Sequence, residues 1–134
     1  MGDWKVNLDE VPEEHQVWTW KDGSYERFRK RISAALGNAP ETLHPFDVER
    51  VRVPPGARPC PVHRHSRQWE LFVVVSGRGI VRREGQTAEV GPGDCFIQPA
   101  GTAHRIANAD ESRDLVFYVI ANEDASEQGE RLEV

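Results

Sequence analysis

This chain of 134 residues has little cysteine, no long apolar run and no surplus of basic charge, and each shortage removes a class of function. Its two cysteines, Cys60 and Cys95, form no Cys-x-x-Cys pair, so they read as buried thiols rather than a disulfide or a redox pair. The longest apolar run is the short stretch from Leu115 to Ala121. A membrane-spanning helix needs ~18 or more such residues, so no membrane partner is expected. The formal net charge of -5 argues against a nucleic-acid partner, because that binding depends on clustered Lys and Arg. The one basic cluster, Arg27 to Arg31, is interrupted by Phe28 and reads as a solvated face. The first ten residues lack a basic n-region and an apolar h-region, and the sixth position lacks Ser or Thr. The expectation is therefore no secretory leader, no myristoyl anchor and a cytoplasmic location. Nor is there a Gly-rich phosphate loop, a Ser-His-Asp arrangement or a nucleophile elbow.

What is present fits one domain with a substantial core. Residues 1–44 read as an N-terminal extension. Trp4, Trp18 and Trp20 give it more aromatic content than a disordered tail, so the barrel or a partner subunit should cover those rings. Trp18 and Trp20, two apart, would share one face of a strand. From Ser24 to Leu36, Tyr25, Phe28, Ile32 and Leu36 recur at helical spacing, with Ser24 as cap and Gly37 as stop. The spacing predicts a helix, with an extended arm as the alternative.

From 45 to 121 the chain reads as short strands: Phe46–Val53, Val62–His65, Trp69–Val75, Gly79–Arg83, Gln86–Val90, Cys95–Gln98, Ala103–Asn108 and Leu115–Ala121. Gly and Pro turns separate them, and Glu84-Gly85 predicts a tight hairpin. This pattern points to an all-β sandwich or barrel. The acidic tail, residues 122–134, lacks periodicity and is expected to fray.

Three of the five histidines fall in the strand-rich part. His63 and His65, two apart on a strand, project from one face and can meet one ion. Glu70 returns beside them after a short loop, and His104 arrives from a distant segment. Imidazole and carboxylate donors in this mixture suit Fe, Mn, Ni or Zn as a divalent ion better than Mg or Ca. His15 and His44 have no partner at ligand spacing and read as structural, and Cys60 as a core thiol. Trp69 should point away from the face that Glu70 occupies.

The glycines and prolines around these residues carry more. Gly56, His63-x-His65, Glu70 and Gly77 form one block, and Gly93, Pro99-x-Gly101, His104 and Asn108 a second. The pair resembles the two sequence motifs of the cupin superfamily, with one extra residue between Gly56 and His63. The resemblance implies a double-stranded β-helix, or jelly-roll, barrel with an N-terminal extension. It also implies that His63, His65, Glu70 and His104 bind the metal, and that barrels pair as a homodimer. Pro99 and Gly101 would shape the loop that aims His104 inward, and Asn108 would tie that loop back.

If Glu70 faces inward, Phe72 and Val74 share its face and make an apolar floor. Gln98, Tyr118, Arg50 and Arg52 are the candidate polar groups of a small-molecule pocket. The expected function is a metalloenzyme acting on a small organic acid, sugar or aromatic compound, by dioxygenase or by isomerase and lyase chemistry. The alternative is a non-catalytic protein that binds or senses a small molecule. On the sequence, Tyr118 and Arg52 are the only candidates for a positioned acid or base, which keeps the alternative open.

Overall fold

The structure is a computed structural model that describes residues 4–21 and 23–132. Residues 1–3, on which part of the leader reading rests, and the last two residues of the tail lie outside the described residues. A short 3-10 helix, Leu8–Glu10, precedes β1 (Glu13–Trp20) and β2 (Gly23–Arg31), and a single helical turn, α1 (Ile32–Ala35), follows. Then come β3 (Phe46–Val53), β4 (His63–His65), β5 (Glu70–Ser76), β6 (Gly79–Arg83) and β7 (Gln86–Val90). The order ends with β8 (Cys95–Gln98), β9 (His104–Asn108), β10 (Leu115–Asn122) and β11 (Gly129–Arg131).

These strands form two antiparallel sheets, β1-β2-β3-β10-β5-β8 and β11-β4-β9-β6-β7. The architecture is the jelly-roll barrel. Its core lies between the sheets, where Val51, Val53, Phe72, Val74, Leu115 and Phe117 from the first meet Val81 and Ile106 from the second. Alternation explains the choice: along β3 the odd positions Val51 and Val53 turn inward, and along β5 the even positions Phe72 and Val74 do.

Turn chemistry sets the register. Glu84 and Gly85 both take positive φ, 48° and 80°, which suits the two-residue link between β6 and β7. Gly77 has a φ of 84°, and a Cβ there would run into the Asp114 carbonyl. Only glycine fits that crossing. Asn108 lies buried and donates through Nδ2 to the carbonyls of Val53 (3.0 Å), Pro54 (3.1 Å) and Arg113 (2.8 Å). It therefore fastens the end of β3 to the 109–114 loop rather than the loop before His104.

Both ends of the chain depart from expectation. The segment expected to be helical is mostly strand: β2 pairs with β1 from Glu13↔Lys30 to Trp20↔Gly23, and with β3 from Phe28↔Arg52 to Arg31↔Glu49. Helical spacing of four apolar residues is a weak preference, and hydrogen bonding to strands on both sides overrides it. Helix survives only in α1, with Gly37 beyond it at a φ of 96°. The tail expected to fray instead forms β11, which pairs Gly129↔His65 and Arg131↔His63. Trp18 and Trp20 share a half-buried face of β1 as expected, but Trp4 is 89% exposed. Cys95 is exposed rather than buried. No helix among the described residues is long and apolar enough to cross a membrane.

Candidate metal centre and its cavity

β4 and β9 are neighbours, and their pairing sets His63 directly opposite His104. His65, two residues on, shares the face of His63. Glu70 opens β5 in the facing sheet, so three imidazoles from one sheet meet one carboxylate from the other. One donor atom from each of the four lies within 4.8 Å of the rest.

Hydrogen bonds behind the rings fix which nitrogens face inward. His63 Nδ1 lies 2.9 Å from the Pro61 carbonyl, and His104 Nδ1 lies 2.9 Å from the Thr102 carbonyl. A carbonyl only accepts, so each Nδ1 carries a proton and donates it. His65 Nδ1 sits 3.3 Å from Glu127 Oε2. Each ring therefore offers Nε2 to the centre, where Glu70 Oε1 lies 2.9 Å from His104 Nε2 and 3.3 Å from His65 Nε2.

Nitrogen lone pairs aimed at a carboxylate repel it unless a positive charge lies between them, as protons or as a metal ion. Both nitrogens of His65 are buried without a well-formed hydrogen bond, so the protein's own protons do not satisfy the arrangement. A ring whose outer N–H is held by a carbonyl or carboxylate is the usual setting of a metal-bound histidine. The four residues thus fit a divalent transition ion.

Electrostatics agree. Burial, reinforced by the neighbouring His104, pushes His63 down to about 4, which keeps its imidazole neutral. Burial alone would raise Glu70, but the His104 and His65 rings packed against it outweigh burial and hold the carboxyl well below its ordinary range. For His65, burial opposes the cation, yet Glu70 and Glu127 together raise its pKa. Glu127 is one residue that sequence reasoning missed. Its carboxylate accepts from the backbone N–H groups of Ser66 (3.1 Å), Arg67 (2.6 Å) and Gln68 (2.6 Å), and so shapes the loop between His65 and Glu70.

A cavity of about 430 Å³ opens beside His63, His65 and Glu70. Its wall includes Trp18, Arg27, Arg29, Glu49 and Cys60. A smaller hollow of about 80 Å³ shares Arg27, Glu49, Cys60, His63 and Glu70 and reaches Phe72 and His104. Of the six pocket candidates from the sequence, Phe72 lines this hollow, while Val74 is sealed in the core at 1% exposure. Gln98 lies beside Glu70 in the register but faces a separate hollow with Val81 and Phe96.

Arg50, Arg52 and Tyr118 lie outside the cavity lining. The reason is strand parity. Val51 and Val53 turn inward on β3, so Arg50 and Arg52 turn outward, and Tyr118 alternates with the inward Phe117 and Val119. Arg52 instead bonds Glu13 Oε1 at 2.6 Å and Asp114 Oδ2 at 3.2 Å across the outer face. The same parity brings in Glu49, and on β2 it turns Arg27 and Arg29 into the cavity, against their reading as a solvated face. The visible signal was alternation about Phe28, which is hidden when the segment is read as helix.

The remaining candidates behave simply. His15 stacks on Phe28 with ring centroids 4.1 Å apart and bonds Glu26 Oε2 at 2.7 Å, a structural role. The backbone N–H of His44 donates to Asn38 Oδ1. Trp69 is 51% exposed, away from the cavity. Cys60 comes closer than a core thiol should, with Sγ 3.6 Å from His63 Nδ1, and burial pushes its thiol up to about 12.

Comparison with known proteins follows this geometry. An oxalate-binding protein from Thermotoga maritima is 27% identical over 71 residues, 53% of this chain and 57% of that protein, so the match spans less than two thirds of the relative's length. Among solved structures, a sugar phosphate isomerase of the cupin superfamily from Silicibacter pomeroyi aligns with a TM-score of 0.79 and 26% identity, covering 97% of this chain and 82% of that one. A polyketide cyclase from Streptomyces resistomycificus shares the fold at a TM-score of 0.74 and 21% identity, covering 97% and 85% of the two chains. The cupin domain profile matches residues 49–121, the stretch that holds all four metal-donor candidates, and the chain belongs to the cupin family.

Proposed function

We propose that the chain binds one divalent transition ion (iron, manganese, nickel or zinc) through Nε2 of His63, His65 and His104 and a carboxylate oxygen of Glu70. The cavity beside it takes a small oxygen-bearing molecule, and the reaction is of the isomerase or lyase type. The observation that carries this reading is the convergence of imidazole nitrogens on Glu70 with their outer N–H groups held at 2.9 Å by the Pro61 and Thr102 carbonyls. A bound divalent ion would supply Lewis-acid polarisation of a substrate oxygen.

The chain's own contribution is a group that moves a proton. Burial raises the Glu49 carboxyl above its ordinary range while Arg29, 3.0 Å away, pulls the other way. A carboxyl on the cavity wall with a raised pKa suits proton transfer beside a polarised carbonyl. Oxygenase chemistry would use the same four donors, but it gives Glu49 no task. The likeness to a sugar phosphate isomerase supports the reading, although one fold serves many reactions.

The second reading is a non-catalytic holder of a small molecule, favoured by the oxalate-binding relative. Two measurements separate the readings. Elemental analysis of protein purified without added metal should find about one ion per chain, lost in Glu70→Ala and His65→Ala. Equal, sub-stoichiometric metal in all three would end the metal reading. An NMR assay of aldose–ketose interconversion in D₂O should show solvent deuterium entering the product. Turnover should fall by roughly two orders of magnitude in Glu49→Gln, at unchanged metal content. Binding without turnover in this assay favours the holder.

The cupin fold also leads us to infer a homodimer, for which the exposed Trp69, Leu71, Val75 and Ile97 offer apolar surface, and whose test is sedimentation equilibrium.

A further inference from the structure

We propose that Arg27 is the receptor for an anionic oxygen group, a carboxylate or a phosphate, on the molecule that enters the metal cavity. This deepens the proposed function by naming a substrate class, and it rests on that cavity being the substrate site.

Three observations carry it. Arg27 lines both the open cavity and the inner hollow, each of which also includes His63 and Glu70. Its Nε donates to Gln16 Oε1 at 2.7 Å, and its guanidinium lies 5.3 Å from the centre of the Trp18 ring. Those two contacts fix the side chain, yet neither neutralises it. Among the described residues no carboxylate lies within ion-pairing distance of Arg27, whereas Arg29 pairs with Glu49 at 3.0 Å, Arg52 with Glu13 and Arg64 with Glu130.

The charge itself is secure. Burial, and then the neighbouring Arg29, lower the guanidinium's pKa from a value so high that it stays protonated at any working pH. An oriented, half-buried cation without a counter-ion is costly to hold, and an anion entering the cavity relieves that cost. The wall is also oversupplied with donors: Trp18 Nε1 and Arg29 Nε are buried without hydrogen-bond partners. Asp47 and Glu49 share the cavity wall and would repel an anion, but Arg29 engages Glu49, and a bound divalent ion adds positive charge on the opposite side.

The cross-strand partner is informative. Gln16 sits directly opposite Arg27 in the β1–β2 ladder, where a glutamate would form an ion pair and cancel the charge. A neutral amide there holds the guanidinium in place and leaves it available. Planar, forked donors of this kind match carboxylate and phosphate oxygens.

The test is an NMR titration of the metal-loaded protein with inorganic phosphate and, separately, with acetate, following the indole N–H resonances, with metal content measured in parallel. At least one anion should bind. Its affinity should fall about tenfold or more in both Arg27→Met and Gln16→Glu, and Arg27→Lys should restore part of it. Which anion binds more tightly tells a phosphate substrate from a carboxylate one. The proposal is overturned if neither anion binds wild type, or if binding is equal in wild type, Arg27→Met and Gln16→Glu, as it would be for an anion held by the metal alone. Failure of the metal reading shows itself separately, as Arg27-dependent binding in a protein that carries no metal.

Discussion

The segment from Phe46 to Ala121 supplies every donor of the candidate metal cluster, whereas residues 13–31 and 127–131 supply much of the cavity's charged wall and the clamp on His65. In the first region chemistry follows from short-range spacing: His63 and His65 share a strand face, and Pro99, Gly101 and His104 are steps of one loop and strand. In the flanking regions no spacing announces a role. Arg27 reaches the cavity because β2 is hydrogen-bonded between β1 and β3, and Glu127 reaches His65 because β11 closes the other sheet. The barrel and its donors form one layer of construction. The flanks give that scaffold the charged wall of its cavity.

If this division holds, damage to the barrel should cost stability most, and damage to the flanks should cost binding with little loss of fold. Phe117→Ala, which empties a side chain 2% exposed against Phe72, should destabilise by about 3–5 kcal/mol in urea unfolding. A loss under about 1 kcal/mol would mean that the flanks, not the barrel core, hold the fold.

Glu127→Ala should weaken metal binding by about tenfold, read by competition with a chromophoric chelator, because His65 loses its outer partner and three backbone N–H groups lose their acceptor. Glu127→Gln, which keeps an acceptor oxygen, should recover part of the loss. Unchanged affinity in both variants would reduce β11 to a simple sheet edge.

The smallest effect concerns the tie between N-terminal strand and barrel. Arg52 hydrogen-bonds Glu13 and holds its carboxyl below the ordinary glutamate range. A depressed folded-state pKa contributes stability above the unfolded value of about 4.3, and that contribution is lost as pH falls through the folded value. Because both partners are about a third exposed, Glu13→Gln should cost only about 0.5 kcal/mol at pH 7. The difference from wild type should shrink once the pH falls below the ordinary glutamate range. A gap that persists in acid would point to packing rather than charge.

The histidine cluster and the strands between residues 46 and 121 were legible because both rest on local rules. The β6–β7 hairpin follows from Glu84-Gly85, and the inward turn of Phe72 and Val74 follows from Glu70 by parity. Arg50, Arg52 and Tyr118 were misplaced because parity had not been fixed for β3 and β10, and a shift of one residue sends a side chain through to the other face. Arg27 and Glu49 were missed for the same reason. Glu127 lay in an acidic stretch that is ordered by β4 and the loop after it, 60 residues away in the chain.

By itself, the sequence determined the strands and turns between residues 46 and 121 and picked out the four candidate donors, since each depends on φ preferences, alternation and spacing within a few residues. Only the tertiary structure decided which arginine faces the donors, which carboxylate backs His65 and which acidic side chain shares the cavity. Those choices depend on which strands lie side by side and in what register, and sheet pairing between distant segments leaves almost no mark on the residues that undergo it.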